Sequence, residues 1–444
     1  MVEGAGELQT INYKQMLPWV HLFRAFRIAV DIRKMILAAL GLLALSAGDW
    51  GFLHLPFAPK STRSEVSRAW PWEDDLGYEL TDGAFLEDPW NALQVVSTNW
   101  QLVLRPMRTF VEPGVVLFQT GSSWSDVAFA WTRLFWALLV WAIFGGAITR
   151  MAAVQFARDE KIGLTESLQF SWGKFLPYVS APLLAVAGIG MVWVLCLLGG
   201  LIGRIPFVGE ILVGALWGLP LVLGFVMSLI LMGVAVGWPL MYAAVSTEGS
   251  DAFDGFSRAY SFVYSRPWHY LWFAVVVMAF GSVVCFFVSM VAGLLVHLAG
   301  WSVAAGMGPE HVSKLYHSAP EFIGGTRLMA ETTDASLASF LTGIWLRAVA
   351  LLVVGFVYSY FWSASTIMYF LLRQSDDNTD LDEVYLPEAS EPPDNLLPLV
   401  GVAASEQPVV ERPAEGEFTL NAKDDVYQGD TEMDIKMNDT SSPQ

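Results

Sequence analysis

Two arginines lie within otherwise apolar runs, where an ionisable side chain is the strongest sign of chemistry. Arg133 and Arg347 each fall about two helical turns into such a run. Charge at bilayer depth is costly and is mostly retained for function, so both are candidate cavity-lining residues that accept an anion. The structural alternative is that each side chain snorkels to the headgroups or pairs with Asp126 or Asp334.

Histidines and paired carboxylates indicate no further site. His311 and His317 are placed on different faces of any helix by their spacing, so we expect no metal site there. Asp251 and Asp254 precede an amphipathic segment and are interpreted as helix N-caps rather than as a catalytic pair. The sequence therefore predicts no catalytic residue, no cofactor and no metal, and the protein is not expected to be an enzyme.

Composition sets the class of protein that must position these residues. Apolar residues make up 54% and charged residues 15% of the chain, against about 45–50% and about 25% in soluble domains. The net charge of -18 is concentrated in the tail, where 18 acidic and three basic residues follow Arg373. The remaining body has no basic face, which excludes a nucleic-acid binder. Lipid is therefore the expected solvent and partner of the chain.

Six apolar runs are long enough to cross a bilayer core as helices, which takes about 20 residues. The first covers 35–55, the last covers 340–372, and the four others fall within 127–298. The piece 205–219 is short, is bounded by prolines and carries Glu210, so it is interpreted as a hairpin, with a seventh span as the alternative. The predicted fold is an all-α, polytopic transmembrane bundle of six spans.

Lys and Arg beside short loops resist translocation and thus indicate orientation. With six spans, most of those near the span ends fall on one side: Arg24, Arg27, Arg33, Lys34, Arg150, Arg158, Lys161, Lys174, Arg258, Arg266 and Arg373. This predicts cytoplasmic termini, comprising an amphipathic segment 1–34 and a disordered acidic tail 373–444. The segments 56–126 and 299–339 are then extracytoplasmic, and an apolar face through Trp100 and Leu104 predicts a helix that lies on the membrane surface or caps the bundle.

An internal duplication is indicated when the chain is compared with itself at an offset of 90 residues. The polar connectors share a pattern of aromatic, Ser, aromatic and, further on, Pro followed by an aromatic. It occurs at 170–178 and again at 260–268. The second and third spans then correspond to the fourth and fifth in a parallel repeat. This predicts a pseudo-twofold core flanked by the first and sixth spans.

The same region carries a resemblance. The exit 145–150, followed by Ala152, Ala153 and an amphipathic helix before 175–182, resembles uncharacterised bacterial multi-pass proteins with repeated helical units. The paired layout is also similar to the membrane domain of glycerophosphodiester phosphodiesterase-type proteins. The resemblance covers about residues 127–298. It implies a bacterial inner-membrane location and a type of fold, but no catalytic residue.

Glycines spaced four residues apart let helices approach closely. Three pairs occur, and they are candidates for packing within the bundle or, alternatively, in a homo-oligomer: Gly199 and Gly203, Gly214 and Gly218, and Gly233 and Gly237.

These observations predict a non-catalytic interaction or organising protein of the inner membrane, which binds a cytoplasmic partner through its acidic tail. The alternative is a transporter or channel for a small solute or lipid. A polar-lined cavity inside the bundle would favour the alternative, and the apolar runs show little polar lining.

Overall fold

A computed structural model describes residues 17–59, 70–71, 100–119, 121–316 and 337–386, and in these ranges every regular element is helical. After a 3-10 turn at Pro18–Phe23, the helices are α1 (Arg24–Ala29), α2 (Ile32–Phe52), α3 (Trp100–Val103), α4 (Arg105–Phe118), α5 (Trp124–Arg158), α6 (Leu164–Gly173), α7 (Phe175–Ile202), α8 (Val208–Ala215), α9 (Gly218–Glu248), α10 (Ala252–Ser265), α11 (Pro267–Met307), α12 (Pro309–Leu315) and α13 (Leu337–Asp377).

Six of these helices, α2, α5, α7, α9, α11 and α13, are long and apolar enough to cross a membrane. The prediction of an all-α fold with six candidate spans is thereby confirmed for the described residues. The helix α8 has eight residues and is about 12 Å long, so it is too short for a seventh span. The chain is built as a multi-pass membrane protein.

The six long helices alternate in direction, which gives the bundle two different ends. At the connector end, α5, α9 and α13 finish, and Arg24 and Arg27 bind Asp159 at 3.0 and 2.7 Å. At the hairpin end, α2, α7 and α11 finish, and Arg133 binds Asp49. The connector end is the side predicted to be cytoplasmic, and that orientation stays a prediction.

The last span, α13, is the central helix of the bundle. It packs against α2, α5, α9 and α11, and every residue from Val353 to Arg373 is buried. The expectation that the sixth span flanks the others is therefore wrong. The physical reason lies in its polar side chains, because the Ser359, Tyr360 and Tyr369 hydroxyls donate to Ala29 of α1, Val277 of α11 and Glu248 of α9 on different sides of the helix.

Both connecting helices fold back along the span that precedes them. α6 packs on α5, where the Ser171 hydroxyl lies 2.7 and 2.8 Å from the carbonyl oxygens of Ala142 and Ile143 and shares its one proton between them. α10 packs on α9, where the Tyr260 hydroxyl donates to the Ile230 carbonyl at 2.6 Å, and burial raises the pKa of Tyr260. The two units are thus alike in this respect. However, α7 packs on α9 and α10 whereas α11 packs on α13, and the duplication stays a prediction.

The connectors also test the expected caps. Asp251 is the N-cap of α10, as predicted, and its carboxylate accepts the backbone N–H of Asp254 at 2.9 Å. Asp254 lies in the first turn rather than at the cap.

The candidate packing glycines behave differently from one another. Side chains of α10 face Gly233 and Gly237, where a Cβ would overlap the Tyr260 ring or touch Val263. Gly203 lies against Val213 inside the 203–217 hairpin. The remaining three meet nothing within 4 Å in the described chain, so packing within one bundle does not explain them: Gly199, Gly214 and Gly218.

The hairpin-end halves of α7 and α9 form an arm that the other helices leave largely uncovered. Between Trp193 and Met232, Gly209 is the single buried residue. These halves pack on each other and present apolar side chains outward, whereas the buried part of α9 begins at Gly233. Lipid, or a second copy of the chain, is the expected surrounding of such a surface.

Candidate ligand cavity and buried polar core

A short helix pair enters the bundle between the long helices at the hairpin end. α4 packs along α5 and touches α13, while α3 packs on α11 and α13. Val103 is 1% exposed, and the Phe110 ring lies 4.2 Å from the Trp238 ring, centroid to centroid. Part of the segment 56–126 is thus inside the bundle, and the expectation of a helix on the membrane surface or a cap is corrected for α3 and α4. The residues of 72–99 lie outside the described chain.

Local sequence explains why this pair is broken rather than continuous. Pro106 lies in the first turn of α4, where its missing N–H has no helical acceptor to lose. Because Pro106 has no N–H to donate to the Leu102 carbonyl, the run of helical hydrogen bonds is interrupted, and the break between α3 and α4 falls at Leu104. Both Pro106 and Pro113 are buried, whereas Val111, Val115 and Phe118 of the same helix are exposed. The polar residues of α4 line a cavity.

That cavity has a volume of about 280 Å³, close to the lower limit for small-molecule sites. Its charged lining residues are Asp49, Arg105, Arg108, Glu112 and Arg133, and its other lining residues include Ala137, Val354 and Tyr358. Ala137 lies about 20 Å along α5 from the start of that helix. The cavity therefore reaches well into the bundle, and its three arginines outnumber its two carboxylates.

Arg133, the first predicted site residue, lies in the wall of this cavity. Its Nε and Nη2 donate to Oδ1 and Oδ2 of Asp49 at 3.0 and 2.9 Å, in a bidentate pair. Neither anticipated partner is used within the described chain, because Asp126 closes a capping box with Ser123 and Asp334 lies outside the described residues. The pairing with Asp49 follows from the antiparallel contact of α2 and α5.

The remaining cavity charges are differently placed. Within the described chain, Arg108 and Glu112 are exposed and have no hydrogen-bond or ion-pair partner, whereas Arg105 is half-buried. The second predicted site residue, Arg347, is half-buried on α13 and is not among the residues that line the cavity. Sequence reasoning missed α4 because this helix is neither long nor apolar enough to be recognised as a span.

Stacked aromatic side chains continue from the cavity toward the connector end. Tyr358 stacks on Trp141 with ring centroids 5.1 Å apart. Trp141 lies 5.7 Å from Trp362, which lies 4.9 Å from Tyr242. Tyr242 in turn lies 5.1 Å from Tyr178. These rings connect the cavity with a set of buried polar side chains.

Those buried polar side chains centre on Ser246 of α9. The Tyr178 hydroxyl and the Thr149 hydroxyl lie 2.7 and 2.5 Å from Ser246 Oγ, and Arg150 Nη1 donates to the Ser246 carbonyl at 2.9 Å. Arg150 is 3% exposed and also lies over the Phe170 ring at 4.2 Å. From the sequence, Arg150 indicates only orientation, because the buried contacts of its side chain depend on the packing of α5 against α9.

A buried lysine holds the beginning of α2. Lys34 is fully buried, and its Nζ donates to the Ile28 carbonyl at 2.9 Å and to Gln155 Oε1 at 2.5 Å. Ile28 lies in α1 and Gln155 in α5, so the ammonium group joins three helices at the connector end. From the sequence, Lys34 likewise indicates only orientation.

The connector end carries a charged network around Glu248, the last residue of α9. Its carboxylate lies 2.8 Å from Arg258 Nε and 3.3 Å from Arg373 Nε, and it accepts the Tyr369 hydroxyl at 2.6 Å. The Arg373 contact is an ion pair without hydrogen-bond geometry, because Nε of Arg373 has no hydrogen-bond partner in the described chain. A second cavity of about 530 Å³ lies beside this network.

The first residues of the acidic tail fold back on this network as a strap, residues 378–386. Arg373 Nη1 donates to the Glu383 carbonyl at 3.1 Å, and the Tyr385 N–H donates to the Thr247 carbonyl at 2.7 Å. Gly249, with φ of +62°, leaves room for the Tyr385 ring. The predicted disordered tail thus begins with an ordered strap, and residues 387–444 lie outside the described chain.

The other side chains that could bind a metal or react do not lie together in the described chain. His311 lies in α12, His317 lies outside the described chain, and the described residues hold no group of three metal-ligand side chains. Cys196 and Cys285 are both free thiols.

Comparison with known proteins adds no further constraint, so the resemblance to multi-pass bacterial proteins stays a prediction. No protein-family model matches the chain, and no curated protein or solved structure is significantly similar to it.

Proposed function

We propose that the protein is a transporter or channel that accepts a small anionic solute, or the anionic headgroup of a lipid, in the hairpin-end cavity. The carrying observation is the cavity itself, a polar space lined by three arginines among helices long enough to span a bilayer. A polar-lined cavity is the feature that separates this function from a purely organising role. We therefore prefer the transporter or channel to the organising role, which the sequence alone favours.

The chemistry of the lining supports an anion. A guanidinium group pairs with a carboxylate or phosphate through two parallel hydrogen bonds, and Arg133 already forms such a pair with Asp49. Arg108 has no such partner in the described chain and faces the same space. A half-helix that lines a cavity at membrane depth, as α4 does, is a recurrent feature of transport proteins.

Flux in phosphatidylcholine proteoliposomes tests this proposal. We expect Arg108→Gln to lower the anion flux about tenfold or more, because a lost charge-assisted hydrogen bond is worth about 1.5–3 kcal/mol. Arg347→Gln is the matched control and should leave the flux unchanged, since that arginine does not line the cavity. Labelled phosphate, acetate and glutamate report solute flux, and fluorescent phosphatidylglycerol reports headgroup transfer.

The two sources of the anionic group give different outcomes. Arg108-dependent uptake of a soluble anion supports a solute, whereas Arg108-dependent lipid transfer supports a headgroup. Wild-type vesicles that match empty ones for every probe would contradict the proposal. Equal losses in the Arg108 and Arg347 variants would count against this cavity as the entry site.

We further propose the predicted orientation in a bacterial inner membrane, with the connector end and both termini in the cytoplasm. Exposed glutamates mark the two ends, Glu160 after α5 and Glu310 in α12. In a Cys196→Ala, Cys285→Ala background, Glu310→Cys should react with an impermeant thiol reagent on intact cells. Glu160→Cys should react only after permeabilisation, and the reverse pattern would invert the topology.

An organising role for the acidic tail is the second candidate. It is favoured by the strap, because Glu383 and Tyr385 join the start of the tail to α13 and α9. A partner that binds the tail would thereby act directly on the buried helices.

Deleting residues 387–444 tests the tail without removing the strap. We expect the free energy of unfolding to be unchanged and proteins crosslinked to the full chain to be lost. A longer deletion from Gln374 is the comparison, and it should also lower stability because it removes Glu383 and Tyr385. An unchanged set of crosslinked proteins would argue against the tail as a docking segment.

A further inference from the structure

Three aromatic residues at the bundle centre carry buried hydrogen-bonding groups without partners. Trp238, Tyr242 and Trp362 are 3%, 0% and 0% exposed. Their rings are in mutual contact, with centroid separations of 5.2 Å between the indoles and of 6.0 and 4.9 Å from Tyr242 to each indole. Within the described chain, nothing accepts a hydrogen bond from either indole Nε1 or bonds the Tyr242 hydroxyl.

Such a concentration of unpartnered groups calls for an acceptor. More than about 90% of buried polar groups in proteins are hydrogen-bonded, and each exception costs about 1–3 kcal/mol. An indole N–H can only donate, so two of the three groups cannot satisfy each other. Three exceptions in one ring cluster therefore indicate a bound species that accepts several hydrogen bonds at once.

The charges around the rings favour an anion as that species. A Cβ on Gly145 of α5 would lie 2.7 Å from Trp362 Cζ2, so the indole lies against this helix. Arg133 and Arg150 lie on the same helix, about 18 Å and about 8 Å from Gly145 along its axis. The charge of Arg133 is neutralised by Asp49, whereas Arg150 has no ion-pair partner in the described chain, and in a low-dielectric interior its charge favours a nearby anion. A halide also accepts several donors and has no hydrogens of its own to place.

We infer that the Trp238–Tyr242–Trp362 cluster binds a small monovalent anion, of the halide class, through its indole N–H and phenol O–H groups. The site is separate from the arginine cavity, from which Trp141 and Tyr358 divide it. It can be occupied whether or not the cavity conducts a solute. A binding measurement therefore tests it independently of flux.

Fluorine NMR of the 5-fluorotryptophan-labelled full chain in nanodiscs provides that measurement. Trp238→Phe and Trp362→Phe identify two of the resonances, and Trp172→Phe identifies an indole that is 68% exposed. On replacing gluconate with bromide at constant ionic strength, the first two resonances should shift saturably with one common Kd. The Trp172 resonance should not saturate. Tyr242→Phe should raise that Kd about tenfold, because one hydrogen bond to a charged group is lost.

Bromide-dependent anomalous scattering from the unmodified protein tests the same point if an aromatic variant does not fold. A peak among the three rings supports the site. Resonances that do not respond, and ordinary density without an anomalous signal, would assign the position to water and overturn the inference. Absence of flux in the vesicle assay would leave this result unaffected.

Discussion

Replacing Gly355 with valine should separate α2 from α13 and cause a large loss of stability. A Cβ at this position would lie 2.8 Å from the Met35 carbonyl oxygen and 3.4 Å from the Ala39 nitrogen. Both obstacles are backbone atoms, which cannot rotate away. One turn later, the Ser359 hydroxyl donates to the Ala29 carbonyl at 2.8 Å, and this bond depends on the same close approach.

The cost of overpacking is typically about 1–3 kcal/mol, and Gly355→Val should fall at the upper end of that range or above it. Equilibrium unfolding in mixed detergent micelles gives the free energy. Gly199→Val is the matched control, because nothing lies within 4 Å of a Cβ there. Equal stability of the two variants would mean that α2 and α13 do not approach at Gly355.

Replacing Glu248 with glutamine should produce a loss of comparable size. The Glu248 and Arg373 side chains are 11% and 10% exposed, so the buried arginine would keep only the more exposed carboxylate of Glu383, at 3.4 Å, as its counterion. Removing one partner of a buried ion pair costs about 3–5 kcal/mol, and the closeness of Arg258 to the same carboxylate adds to the loss. The measurement is again the free energy of unfolding.

Asp377→Asn is the control for this experiment. Asp377 lies 3.5 Å from Arg258, and both side chains are 42% exposed. A solvent-exposed pair contributes about 0–1 kcal/mol, so this variant should be close to the unmodified protein. If the two variants lost equal stability, the charge of Glu248 would have no special role at the connector end.

The six spans were predictable because the bilayer itself sets a minimum apolar length. The ends of the spans were less predictable. The run predicted at 340–372, for example, is the middle of a helix from Leu337 to Asp377. The extra turns carry polar residues that a search for apolar runs excludes. The pair α3 and α4 was missed for a related reason, since short helices with Pro106, Pro113 and several charges have no apolar run to detect.

The candidate site was predictable only in part. Arg133 stands out by charge alone, but its partner Asp49 depends on the register between α2 and α5, which sequence spacing does not define. Trp238 and Trp362 look like ordinary core residues, because the absence of a partner for an indole N–H is a property of the packing. The burial of Arg150 likewise depends on how the helices pack and not on the sequence around it.

Glycine spacing had a comparable limit. Four-residue spacing shows that two glycines share a helix face, but not what that face meets. Gly233 faces the aromatic ring of Tyr260, whereas Gly214 and Gly218 face open space. A neighbour from outside the chain would give the latter a role, as in the predicted homo-oligomer.

The arm formed by α7 and α9 gives the molecule a mechanical asymmetry. Its root is clamped by α10 and α5, while from Trp193 to Met232 its side chains are almost all uncovered. A helix pair fixed at one end responds to bilayer thickness by changing its tilt, at a cost of only fractions of a kcal/mol per Å. The buried end of α9 carries Ser246 and Glu248. A change of tilt in a thinner or thicker membrane would therefore displace these residues and the charged network around Glu248.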